Sequence, residues 1–301
     1  MQNNLSKSFS TFVMLLLSVV GIGQANPMAR ATPKEELSIK LTSPDKPFRL
    51  NVGLTEGDIK IIRYPGKEIL VEAEPNPDKK KPAQNANQNT NINSNNNQNI
   101  NITLAQEKQS KTVTGKYVAV TETDNTVRIS PVNPYSSINV TIKVPTKTVK
   151  LNLSIAQGGE VSVKDISGET EVMNPNGSIV LTNISGSAVA TSITGNITIT
   201  FASVTENTAM AFSTLIGKID VTFPRSFKAN MNLQSDDGIL FSDFHIQFEG
   251  AAPKVDTIKT PTLYRINIGG KLRGKINGGS AETLMKNMNG NIYIRRSKQP
   301  A

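Results

Sequence analysis

Few side chains in this sequence could do chemistry. The 301 residues include one histidine, His245, and no cysteine. Multi-histidine metal sites, thiolate zinc, iron–sulfur clusters, cysteine nucleophiles, disulfides and lipid-modified cysteines are all excluded. His245 lies in the segment FSDFHIQFEG, beside Phe241, Phe244, Ile246 and Phe248. It reads as a strand or loop histidine, because no GxSxG elbow accompanies it to support a Ser-His-Asp triad. Asp236, Asp237 and Asp243 cluster in SDDGILFSD. Paired carboxylates can run acid–base glycoside hydrolysis or hold calcium through oxygen ligands, but Asp237-Gly238 is more simply a turn. Gly269-Gly270 and Gly278-Gly279 lack the context of a phosphate-binding loop and read as turns. No catalytic, metal or cofactor-binding residue is nominated, so the expectation is a protein that is not an enzyme and carries no cofactor.

Charge is more informative. Lys+Arg is 33 and Asp+Glu is 24, a formal net charge of +9. The excess lies near the C-terminus, where Lys271, Arg273, Lys275, Lys286, Arg295, Arg296 and Lys298 face a single acid, Glu282. One reading is a solvated face followed by a basic tail. The other is a patch for anionic glycans or lipid head groups, with Lys271, Arg273, Lys275, Lys286, Arg295 and Arg296 as its candidate residues. Aromatic platforms for sugars are scarce. Phe201, Phe212, Phe223, Phe227, Phe241, Phe244 and Phe248 fall close together and read as core or end cap, with an exposed stripe as the alternative.

The N-terminus reads as an export address. Lys7 precedes the apolar run Phe12 to Ile22, and small residues stand at Gly23 and Ala25, which predicts cleavage after Ala25. An uncleaved anchor is the alternative, but a spanning helix needs about 20 apolar residues and this run is shorter. The expectation is an exported protein of the periplasm or cell surface, with no membrane span in the mature chain and no nucleic-acid partner.

The elements that must position these groups come from a strand-rich composition. Hydrophobic residues make up 37% and aromatics only 5%, so the core must be built from Val, Ile, Leu, Thr and Ala, which favours strands. Residues 26–36 read as a linker and 37–74 as first β coils. Residues 75–111 read as a disordered Asn-rich insert: ten of the seventeen residues from Asn85 to Asn101 are Asn. Such a stretch cannot bury enough apolar surface to offset about 1–2 kcal/mol of ordering entropy per residue. Residues 112–296 form the repeat domain and 297–301 a basic tail.

In the repeat domain, Gly159, Gly168, Gly177, Gly186 and Gly195 recur every nine residues. The third and fifth residues after each glycine, counted from it, alternate to one side of a strand. Bulky pairs such as Ile179/Leu181 and Ile197/Ile199 occur in every second unit, so the true period is eighteen, two strands per coil. Gly217 and Gly238 follow at spacings of 22 and 21 and read as one further coil each. Gly290 marks another turn. Fixed-period repeats indicate stacked arrays. Two folds fit: a single-domain, all-β parallel β-helix-like solenoid, or an antiparallel meander. Only Gly177, Gly238 and Gly290 follow the Asn or Asp that hairpins prefer throughout, whereas Gly168, Gly186 and Gly195 follow Ser or Thr, which favours the solenoid.

The segments GDIKI at Gly57, IKVP at Ile142, the glycine-spaced units from Gly159 to Gly195, VTFP at Val221 and the ending KINGGSAETLMKNMNGNIYIR together resemble the bacterial "putative adhesin" domain (DUF4097), a family of β-strand repeat proteins. The similarity covers about residues 37–74 and 112–296. The resemblance implies a β-strand repeat fold and carries no catalytic residues. The function expected is an exported, non-catalytic binding or adhesion-type module of the envelope or surface, with an envelope polysaccharide or another envelope protein as partner. The alternatives are an envelope structural or regulatory component that assembles with a partner and, less favoured, a polysaccharide-degrading β-helix enzyme resting on Asp236, Asp237 and Asp243.

Overall fold

The computed structural model describes residues 34–77, 110–145, 148–250, 255–257 and 263–298. The segment read as an export address and nearly all of the Asn-rich insert lie outside the described residues. The described chain is all-β. It contains no helix, and hence none long and apolar enough to cross a membrane.

The strands follow in order β1 (Glu35–Ile39), β2 (Phe48–Glu56), β3 (Ile59–Tyr64), β4 (Ile69–Pro75), β5 (Lys111–Thr114), β6 (Val118–Thr123) and β7 (Thr126–Pro131). Next come β8 (Ile138–Pro145), β9 (Thr148–Gly158), β10 (Val161–Lys164), β11 (Ser167–Met173), β12 (Ile179–Thr191), β13 (Ile197–Val204) and β14 (Met210–Ser213). The last are β15 (Ile219–Phe223), β16 (Ala229–Ser242), β17 (Ile246–Phe248), β18 (Val255–Thr257), β19 (Tyr264–Ile276), β20 (Glu282–Lys286) and β21 (Ile292–Arg296). Strand β1 begins at Glu35, inside the segment read as linker. The Ala281 to Met288 stretch, which has modest helix propensity, is mostly strand β20.

Two parallel ladders organise these strands. One runs β8, β3, β10, the first half of β12, β13, β15, β21 and the second half of β16. The other runs β7, β2, β9, β11, the second half of β12, β14, β20 and the first half of β16. Strands alternate apolar-in and polar-out, so every second register column is a buried file. Val140, Ile59, Val161, Ile179, Ile197, Ile219, Ile292 and Leu240 form one file, and Ile129, Val52, Leu153, Val172, Ala190, Phe212, Met285 and Leu233 another. Rings fill the core of the later coils. Phe223 stacks on Phe201 at 5.3 Å and on Phe227 at 3.8 Å.

Unpaired ladder edges invite association, and here antiparallel strands cover them. Strands β4 and β6 pair with β8 and β7, and β1 and β5 pair in turn with β4 and β6. At the other end β19 lies antiparallel along the whole of β16.

Coil order departs from chain order. Gly217 to Gly238 does not span one coil. After β15 the chain leaves one position open, lays β16 beyond it, and later fills the gap with β20 and β21. Ile219 therefore pairs with Ile292, which pairs with Leu240. The physical reason is that an open parallel edge accepts any strand of matching pattern, however distant in sequence.

Candidate functional site

The corners fix where side chains point. Glycines from successive coils form a column in the order Gly57, Gly159, Gly177, Gly195, Gly217, Gly290 and Gly238. The Gly177 amide donates to the Thr194 carbonyl at 2.9 Å, and Gly217 donates to Asn289 at 3.0 Å. At Gly177 φ is +146°, and a Cβ there would overlap the Gly159 carbonyl oxygen, so only glycine allows the coils to approach this closely. Gly168 and Gly186 stack at a second corner, each against the carbonyl of the preceding coil.

Three residues before these glycines sits a buried polar file that sequence reasoning missed: Asn174, Ser192, Thr214, Ser235 and Asn287. Asn174 Nδ2 donates to the Gly159 carbonyl at 2.8 Å, Thr214 Oγ1 to the Gly195 carbonyl at 3.0 Å, and Asn287 Nδ2 to the Gly290 carbonyl at 2.7 Å. The recurring Asn/Ser/Thr-x-x-Gly pattern was the available signal.

The residues read as one anionic-partner patch fall into two groups. Lys271, Arg273 and Lys275 lie every second residue on β19. All three are exposed on the outward face, about 6.8 Å apart by strand geometry. Their neighbours on β16 are Gln234, Asn232 and Asn230. One strand further, on β20, Lys286 shares a row with Gln234. Among the described residues none of these four cations has an ion pair. Two exposed acids flank the file: Glu282, which accepts from Asn232 Nδ2 at 3.3 Å, and Glu249, whose amide donates to the Arg273 carbonyl at 2.9 Å on the other side of β19.

Arg295 and Arg296 do not belong to this face. The Arg295 guanidinium clasps Asp220 on β15, Nε to Oδ1 at 2.6 Å and Nη2 to Oδ2 at 3.1 Å, and lies 4.9 Å from the Tyr293 ring. This hydrogen-bonded contact raises the Arg295 pKa above its ordinary value. Arg296 donates Nη2 to the Asp243 carbonyl at 2.7 Å and lies over Phe244. Both arginines are bound up in joining β21 to its surroundings.

The acidic cluster is similarly dispersed. Asp243 Oδ2 accepts the Arg296 amide at 3.0 Å, while Asp237 forms the corner before Gly238. Among the described residues no group of three or more His, Asp or Glu could hold a metal. His245 is exposed, edge-on to Tyr264 at 5.7 Å. Phe201, Phe212, Phe223, Phe227 and Phe244 are buried, whereas Phe241 and Phe248 are half-buried. Phe241 stacks on Tyr293 at 4.9 Å. Gly270 is left-handed beside nothing that a Cβ would meet, and Gly278 and Gly279 form the turn into β20.

No family model and no curated protein matches the chain. Two crystal structures align with the chain at low identity and low TM-score. One is a "putative cell adhesion protein" from Clostridium sporogenes, 11% identical with a TM-score of 0.37, aligned over 88% of this chain and 100% of its own. The other is a "putative adhesin" from Bacteroides fragilis, 13% identical with a TM-score of 0.31, aligned over 87% of this chain and 97% of its own.

Proposed function

We propose that this chain is an exported, non-catalytic binding module whose scaffold is a solenoid-type stack of two-strand coils, and that it holds acidic polymers of the cell envelope. The observation that carries this reading is the file Lys271, Arg273 and Lys275 on β19, flanked by side-chain amides and joined by Lys286. An extended polyanion meets such a file along its length, each contact weak and the sum appreciable. The amides of Asn230, Asn232 and Gln234 offer donors and acceptors for hydroxyl groups between the charges. The leader-like segment at 1–25 and the resemblance to adhesin-type repeat domains agree with an envelope location. Catalysis on glycans is the weaker alternative, since Asp243 is already engaged by Arg296 and the acids do not converge. The test is retention of the protein on acidic envelope polysaccharide at low salt. Retention that disappears in Lys271→Gln/Arg273→Gln/Lys275→Gln supports the reading, and retention equal to the wild type in that variant contradicts it.

Assembly with a protein partner is a second reading, favoured by one observation. Ile193, Leu215, Ile216 and Met288 are all exposed on adjacent corners, and contiguous exposed apolar surface marks interaction sites. Sedimentation that stays monomeric at high concentration, whatever the salt, counts against it.

A further inference from the structure

A cavity of about 280 Å³ opens where the turns 204–208, 224–228 and 278–281 meet at the leading ends of β14, β16 and β20. Its floor is apolar and buried, from Met210 and Phe227. Its rim is polar, with Glu206, Lys228 and Ser280 among the lining residues, and Ser280 Oγ is fixed 2.9 Å from Asn207 Oδ1. Thr283 also lines it. That residue is 1% exposed, and its hydroxyl has no hydrogen-bond partner. A buried hydroxyl without a partner is uncommon, and here it borders a space that could supply one.

The cavity adjoins the cationic file. Gly279, in its lining, lies against the Lys275 side chain, so that a Cβ there would stand 3.4 Å from Lys275 Cγ and Cδ. Lys275 is the file's last cation on β19, one residue before Ile276 and the turn.

We infer that this cavity receives a single uronic-acid pyranose of a polymer lying along Lys271, Arg273 and Lys275. This rests on the reading of the file as a polyanion track and names the substrate class. The volume falls below the usual range of about 300–1,000 Å³ for drug-sized ligands, which suits one ring. An apolar floor takes the C–H face of a pyranose, polar groups on the rim take its hydroxyls, and Lys228 takes its carboxylate.

Titration calorimetry with tetragalacturonate, and separately with dextran sulfate, tests the assignment on the wild type, Thr283→Val and Ser280→Trp. Thr283→Val keeps the shape and removes the hydroxyl, and Ser280→Trp fills the space. Each variant is expected to weaken tetragalacturonate by at least about fivefold and to leave dextran sulfate within about twofold. Tetragalacturonate affinity unchanged in both variants, no binding of it by the wild type, or an equal fall for both ligands overturns the assignment. Failure of the file itself is separately visible: Arg273→Gln/Lys275→Gln would then leave dextran sulfate binding unchanged.

Discussion

Asp220 and Arg295, 75 residues apart in sequence, meet in a two-point contact that joins β15 to β21. Asp220 is only 9% exposed, and Arg295 is its bidentate partner. This contact clamps the late-arriving strand β21 into the gap left beside β15. Arg295→Gln should destabilise the fold by about 1–3 kcal/mol, because it strips the charge-assisted contact from a nearly buried carboxylate. Urea unfolding measures this. Affinity for acidic polymers should be unchanged in the same variant, since Arg295 is not on the face of the file.

The corner column predicts a contrast between glycines. Gly177→Ala places a methyl group on the Gly159 carbonyl in a left-handed backbone, and should cost about 2–3 kcal/mol. Gly250→Ala is also left-handed, with φ +82°, but meets nothing within 4 Å, so it should cost only about 1 kcal/mol. Paired denaturation curves decide this. Equal costs would mean that close coil approach is not what requires glycine.

Asn287 tests the buried polar file. Its amide donates to the Gly290 carbonyl at 2.7 Å inside the corner. Asn287→Leu should therefore lose about 1–3 kcal/mol through an unsatisfied carbonyl, whereas the exposed neighbour change Met288→Gln should cost less than about 0.5 kcal/mol. Thermal unfolding of the two variants separates them.

Glu72 gives a pH signature. Hydrogen bonds from Lys143 first, and then Lys34, hold its carboxyl below the ordinary value of 4.5, with Lys34 Nζ 2.5 Å from Oε2. A carboxylate with a depressed folded-state pKa contributes stability that is fully present above its unfolded pKa and is lost as pH falls through the folded value. The gap in melting temperature between wild type and Glu72→Gln should thus be widest above about pH 5 and shrink on acidification. A gap that widens toward low pH would contradict the pairing.

How much of this was legible depended on whether a feature was local. The nine-residue spacing from Gly159 to Gly195 is local, and parallel pairs at a separation of eighteen, such as Val161 with Ile179, follow from it. The place of β20 and β21 is not local, because Ile219 finds Ile292 across 73 residues and only the open edge beside β15 specifies that partner. The patch was legible in part. Period two puts Lys271, Arg273 and Lys275 on one face, and the same rule sends the adjacent Arg295 and Arg296 to opposite sides. The cavity was hidden, since its walls come from three turns that only the coil order brings together.

The most direct test of the account compares dextran sulfate affinity at low and at high salt for three proteins: the wild type, Lys271→Gln/Arg273→Gln/Lys275→Gln, and Arg295→Gln/Arg296→Gln. The account predicts that the first variant loses about tenfold or more in affinity, with most of the salt dependence gone, and that the second stays within about twofold. Equal losses in both variants, or a loss only in the second, would contradict it.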